Sequence, residues 1–126
     1  MARFLLICLG GAAGTGARYL LATIVARAVG TGFPMGTLLV NVIGSFLLAL
    51  VMQLSLTTEL IGSDARIILG TGVLGGFTTY STFNYETFAL LRDGSWTMAA
   101  ANVTATVLGC LLAAFAGIVI GRAIAA

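Results

Sequence analysis

Four apolar stretches, residues 3–29, 35–56, 67–91 and 96–124, take up nearly all of a 126-residue chain. A helix crossing the hydrocarbon core of a bilayer needs about 20 mostly apolar residues, and each stretch is long enough. The connections, near residues 30–34, 57–65 and 92–95, are short and carry turn residues such as Gly30, Pro34 and Gly94. Composition points the same way, with 60% hydrophobic residues, 8% charged residues and a mean hydropathy of +1.12, far from the mix of a soluble domain. The expectation is an all-α membrane protein forming a single four-helix transmembrane domain over residues 1–126, with no space for a soluble catalytic domain and no enzyme activity. The first stretch is expected to be retained rather than cleaved as a signal peptide, because it continues past Leu20 with Arg18 embedded in it.

The third stretch is interrupted by a polar, aromatic and glycine-laden segment, Gly75-Gly76-Phe77-Thr78-Thr79-Tyr80-Ser81-Thr82-Phe83-Asn84-Tyr85-Glu86. Two glycines followed by hydroxyl residues disfavour continuous helix, since each glycine costs about 1 kcal/mol relative to alanine and Ser/Thr side chains compete for backbone hydrogen bonds. A helix broken at mid-membrane is predicted. Freed peptide groups persist at that depth only where they face protein or a water-filled path, so the break marks an ion or substrate site.

Other polar residues fall at helical spacing. On the second stretch Thr37, Asn41, Gly44 and Ser45 share a face, and Asn41 is costly enough in lipid to require an interhelical or functional role. Asn102, Thr106 and Cys110 form a thin polar line on the fourth, equally consistent with a helix seam or an anion track. Tyr80 and Phe83 lie three apart with Thr87 a turn further, a spacing usual for core packing. Ring edges are electropositive, however, and can also meet an anion. Glu86 must be paired, protonated or wet. Arg18, some fifteen residues into a span, must reach an aqueous vestibule or act as an interfacial anchor.

Six arginines and four acids give a net charge of +2. With four spans, Arg3, Arg66 and Arg122 fall on one side and Arg27 and Arg92 on the other. So small a bias leaves open whether the chain inserts one way or both, the latter permitting an antiparallel homodimer.

Two motifs are set aside by context. Gly70-Thr71-Gly72-Val73-Leu74-Gly75 fits the dinucleotide-binding pattern, yet that fingerprint needs a βαβ unit and here both flanks are membrane helix. Asn102-Val103-Thr104 is a glycosylation sequon inside a span. Cys8 and Cys110, both in apolar runs, make neither a disulfide framework nor a metal cluster.

Taken together, these residues resemble the Fluc (CrcB) family of fluoride channels along the whole chain. The resemblance is carried by Gly-Ala-Arg-Tyr at 16–19, Gly-Thr-Leu-Leu-Val-Asn-Val-Ile-Gly-Ser at 36–45 and Gly-Gly-Phe-Thr-Thr-Tyr-Ser-Thr-Phe at 75–83. It implies a passive channel exporting fluoride across a prokaryotic inner membrane, built as an antiparallel, dual-topology homodimer with two pores. It also implies a central sodium ion on the dimer axis, held by the backbone carbonyls of Gly75 and Thr78. Asn41, Tyr80, Ser81 and Phe83 match the fluoride pore and Arg18 the vestibule; Thr37, Glu86, Asn102, Thr106 and Cys110 match a polar track. Tyr80 departs from the family's usual phenylalanine. The alternatives are a dual-topology small multidrug antiporter, which conventionally needs a carboxylate in the first span where Arg18 stands, and a non-transporting assembly subunit.

Overall fold

In the computed structural model, which describes all 126 residues, hydropathy and helix follow one another closely. Helix α1 (Ala2–Val29) leads through a five-residue connection, with Pro34 as N-cap, into α2 (Met35–Thr57). A third rod, α3, is α-helical over Ser63–Ile67, π-helical over Ile68–Leu74 and α-helical again over Gly75–Phe77. Thr78 and Thr79 then adopt extended backbone, with φ/ψ of −78/157° and −153/113°. Helix α4 (Tyr80–Arg92) resumes beyond them, and α5 (Trp96–Ala125) closes the chain. Three helices, α1, α2 and α5, are each long and apolar enough to cross a membrane. The broken pair α3–α4 supplies the fourth segment.

The break is present, but the glycines do not make it. Gly75 is helical, with φ −64° and ψ −37°, and Gly76 lies in the same helical piece. Their missing side chains serve contact with α1: a Cβ on Gly76 would overlap the Gly11 carbonyl oxygen, and one on Gly14 the Val73 carbonyl oxygen. At Gly72 it would stand 2.9 Å from the Ile7 carbonyl oxygen. Lipid tails are as apolar as the helices, so close packing of small residues, rather than hydrophobic burial, holds such a pair together. The interruption falls on two threonines instead, where β-branching and a competing hydroxyl both weaken helix.

Elsewhere α2 and α5 pack along most of their length, with Gly117 set against the Phe46 carbonyl oxygen and Gly121 against Gln53. An ion pair of 2.8 Å between Arg3 and Asp64 fixes the start of α1 beside the start of α3.

Burial is inverted relative to a water-soluble protein. Only 15 of 126 residues are buried. Five are glycines, five are apolar (Val40, Leu74, Phe77, Phe83 and Ala99) and five are polar (Thr37, Asn41, Thr79, Asn102 and Thr106). Large apolar side chains such as Leu9, Leu112 and Phe115 point outward. Lipid is the solvent that makes this arrangement favourable.

Gly14→Ala is expected to destabilise the protein by about 1–3 kcal/mol through overpacking, visible as loss of monodispersity at a lower temperature in detergent. Gly16→Ala, where a Cβ would meet nothing within 4 Å, should leave the transition in place.

Candidate functional site

At the break, two peptide groups that a continuous helix would satisfy find side-chain partners instead. Asn41 on α2 grips Thr79 at two points: its Nδ2 donates to the Thr79 carbonyl at 3.0 Å, and the Thr79 N–H donates to its Oδ1 at 2.8 Å. Thr79 also caps α4, its Oγ1 accepting the Thr82 N–H at 3.3 Å and donating to Thr82 Oγ1 at 3.0 Å. Thr78 turns its hydroxyl back to the Leu74 carbonyl at 3.0 Å, while its methyl sits over Gly44, where any Cβ would collide with it. A polar backbone atom unpaired in hydrocarbon costs several kcal/mol, so these contacts are what make the interruption tolerable.

Two sets of interhelical hydrogen bonds lie beyond the break. In one, Thr37 on α2 donates to Glu86 Oε1 on α4 at 2.9 Å. Glu86 Oε2 is buried without a protein partner. Buried polar atoms are nearly always paired, so this oxygen is an exception among the side chains around the break. In the other, Asn102 on α5 donates to Thr87 Oγ1 at 2.9 Å and Thr87 donates to the Phe83 carbonyl at 2.8 Å. Thr106 extends this line weakly to Asn102 Oδ1 at 3.5 Å. Cys110, half-buried, belongs to the same face of α5 but joins none of these bonds.

Two clefts open beside these lines. The smaller, about 300 Å³, is walled by Arg18, Thr15, Thr37, Thr79 and Thr82, so one guanidinium faces a set of hydroxyls. The larger, about 650 Å³, is lined by Tyr19, Phe33, Tyr85, Glu86 and Asp93, and the two share Tyr19, Ala22 and Thr37. Arg18 forms no ion pair.

The aromatic pair divides. Tyr80 and Phe83 touch, with ring centroids 5.7 Å apart and planes tilted by 53°. Phe83 is nevertheless buried and Tyr80 is 77% exposed. Ser81 is exposed, with its Oγ 3.4 Å from Thr79 Oγ1.

Thus the fold gathers Arg18, Thr37, Asn41 and Glu86 with the break, and brings Asn102 and Thr106 to it through Thr87. Gly75 stands one turn before the break, inside helix. Sequence spacing had not marked Thr15, Thr79 or Thr82. The usable signal was the Thr-x-x-Thr spacing after the glycines, an N-cap hydroxyl three residues before a second one.

Residues 5–118 match the family described as CrcB-like protein, Camphor Resistance (CrcB). Among curated relatives, a protein of Anaeromyxobacter dehalogenans named fluoride-specific ion channel FluC is 60% identical over 122 residues, 97% of either chain. Proteins of the same name from Geobacter metallireducens and Sorangium cellulosum are 56% and 52% identical, over 92% and 97% of this chain and 94% and 96% of their own.

The hydrogen-bond lengths rank two substitutions. Asn102→Ala strips Thr87 of its donor and Thr106 of its acceptor, and should cost about 1 kcal/mol, whereas Thr106→Val, losing only the long bond, should cost clearly less. Reversible unfolding in mixed micelles measures both.

Proposed function

Because the chain belongs to the CrcB-like family, we propose that it is a passive fluoride-selective channel that lets cytoplasmic fluoride leave across a prokaryotic inner membrane. The observation that carries this reading is the agreement, at up to 60% identity across nearly the whole chain, with proteins named fluoride-specific ion channels. The geometry supplies the mechanism. A small anion gives up its hydration shell only where fixed donors replace water. Arg18 concentrates anions in the hydroxyl-lined cleft. Asn41 keeps one Nδ2 hydrogen after its bond to Thr79, Ser81 offers a hydroxyl, and Tyr80 and Phe83 offer ring edges, while the Thr37 hydroxyl on the polar track is engaged with Glu86. The line from Asn102 through Thr106 toward Cys110 continues the path, and Glu86, held by Thr37, stays out of it as a hydrogen-bonded group.

Two copies in opposite orientations form the working unit in this reading, each pair enclosing two pores. Two features support it. Arginines are spread almost evenly over the ends, so neither orientation is strongly preferred. Tyr80, Ser81, Asn84 and Tyr85 are exposed on a membrane segment, where polar groups need a polar neighbour, and a second copy supplies one.

A sodium ion on the dimer axis completes the proposal, held by Gly75 and Thr78 carbonyls from each copy. The residues present fit such an ion. In a continuous helix those carbonyls would accept from Thr79 and Thr82, but the first N–H donates to Asn41 and the second to the Thr79 hydroxyl. Free carbonyl oxygens are what a hard cation prefers, and a two-fold axis doubles the set. The ion's charge would fix the two breaks against each other beside the pores.

Proteoliposomes loaded with fluoride or chloride test the reading: fluoride should leave without proton coupling and chloride should stay. Chloride efflux of similar size, or fluoride movement strictly tied to protons, would overturn it. If ring edges suffice at Tyr80, the Tyr80→Phe variant should conduct at least as fast; a silent variant would mean the hydroxyl itself is required.

A further inference from the structure

The hydrogen-bond pattern at the break points to a role for two side chains that pore chemistry does not cover. We infer that Asn41 and Thr79 are positioning residues for the cation site, holding the Gly75 and Thr78 carbonyls free of backbone donors; this rests on the cation reading above.

In an α-helix each carbonyl accepts from the N–H four residues on. Extended backbone at Thr78 and Thr79 removes that geometry, and the freed N–H groups need other acceptors. Asn41 Oδ1 takes the Thr79 N–H at 2.8 Å, and Thr79 Oγ1 takes the Thr82 N–H at 3.3 Å. These are the helical partners of Gly75 and Thr78.

Three neighbouring carbonyls are occupied. Leu74 accepts both the Thr78 N–H and the Thr78 hydroxyl at 3.0 Å, Gly76 accepts from Thr15 at 3.4 Å, and Thr79 accepts from Asn41. Asn41 and Thr79 are each 8% exposed, so water competes poorly for their bonds. Pairing thus withdraws the Leu74, Gly76 and Thr79 carbonyls from a cation's reach and leaves Gly75, Phe77 and Thr78 without a donor. Asn41 thereby ties the cation site to the anion path, since its remaining amide hydrogen belongs to the pore.

Sodium titration of the purified full-length protein, started in sodium-free potassium buffer and followed by the thermal transition of the dimer, tests this. Wild type should gain stability with sodium. Asn41→Ala and Thr79→Val should need about tenfold more sodium for half the gain, the loss of one well-placed hydrogen bond, while Thr79→Ser, which keeps the cap hydroxyl, should titrate like wild type. A merely structural role would lower the transition in sodium-free buffer without moving the sodium midpoint, and that result would overturn the inference. So would unchanged midpoints in Asn41→Ala and Thr79→Val beside lost fluoride flux in Asn41→Ala, which would confine Asn41 to the pore. If Asn41→Ala fails to assemble, the Thr79 pair decides alone. No sodium response in wild type would instead remove the cation reading itself.

Discussion

A peptide group in hydrocarbon has no water to fall back on, and the rest of this structure is arranged around one place where that rule is strained. Thr78 and Thr79 leave the helix, and each N–H or carbonyl left unmatched there would cost several kcal/mol. Asn41 meets both polar groups of Thr79. Its ability to do so depends on α2 standing at a fixed distance. Gly44 lets Thr78 lie directly on α2, Gly36 lets α1 approach so closely that a Cβ there would stand 3.0 Å from the Ala22 Cα, and Gly117 and Gly121 seat α5 on the far side. Close glycine packing far from the break is therefore a condition of the break.

The same constraint explains why the buried residues are so polar. With lipid outside, apolar side chains gain little by turning inward, and what the interior offers is a partner for hydroxyls and amides. Thr37, Asn102 and Thr106 are buried for that reason, each on a helix face whose opposite side is leucine, valine or phenylalanine. Thr106 reaches only its own helix at 3.5 Å, and Cys110 reaches nothing. The exposed run Tyr80, Ser81, Asn84 and Tyr85 is polar surface of the kind that a single chain leaves unfinished.

The spans were legible because hydropathy is a local property that survives any packing. That the third would be interrupted was legible too. Its place was legible to within a few residues, from the glycines and the hydroxyl run together, but not that Thr78 and Thr79 alone leave the helix: whether a glycine bends a helix or admits a neighbour is decided by Gly11 and Gly14, some 60 positions earlier. The pairing of Thr37 with Glu86 across 49 residues and of Asn41 with Thr79 across 38 is likewise invisible to spacing. Helical periodicity says which residues share a face, never which face they meet. It grouped Asn41 with Thr37, Gly44 and Ser45 and could not see that half of its hydrogen-bonding capacity is spent on backbone. It also put Tyr80 and Phe83 together, and they do touch, but one lies inside and the other outside because α4 begins at Tyr80 and has no preceding turn to cover it.

The clamp and the pore role proposed for Asn41 are compatible, and the first strengthens the second. An amide has two N–H donors, and one is engaged with Thr79. A freely rotating amide would lose orientational freedom whenever an anion arrived, and it would gain little over water, which offers the same chemistry with better mobility. An amide already fixed by two bonds incurs no such cost at the moment of contact, so in the proposed pore its remaining hydrogen would keep one direction before the ion comes. For a channel that has to strip water from fluoride, donors of fixed direction are worth more than a larger number of loose ones. The backbone interruption and the side chain that stabilises it then form one device, in which satisfying the break also preorganises the donor beside it.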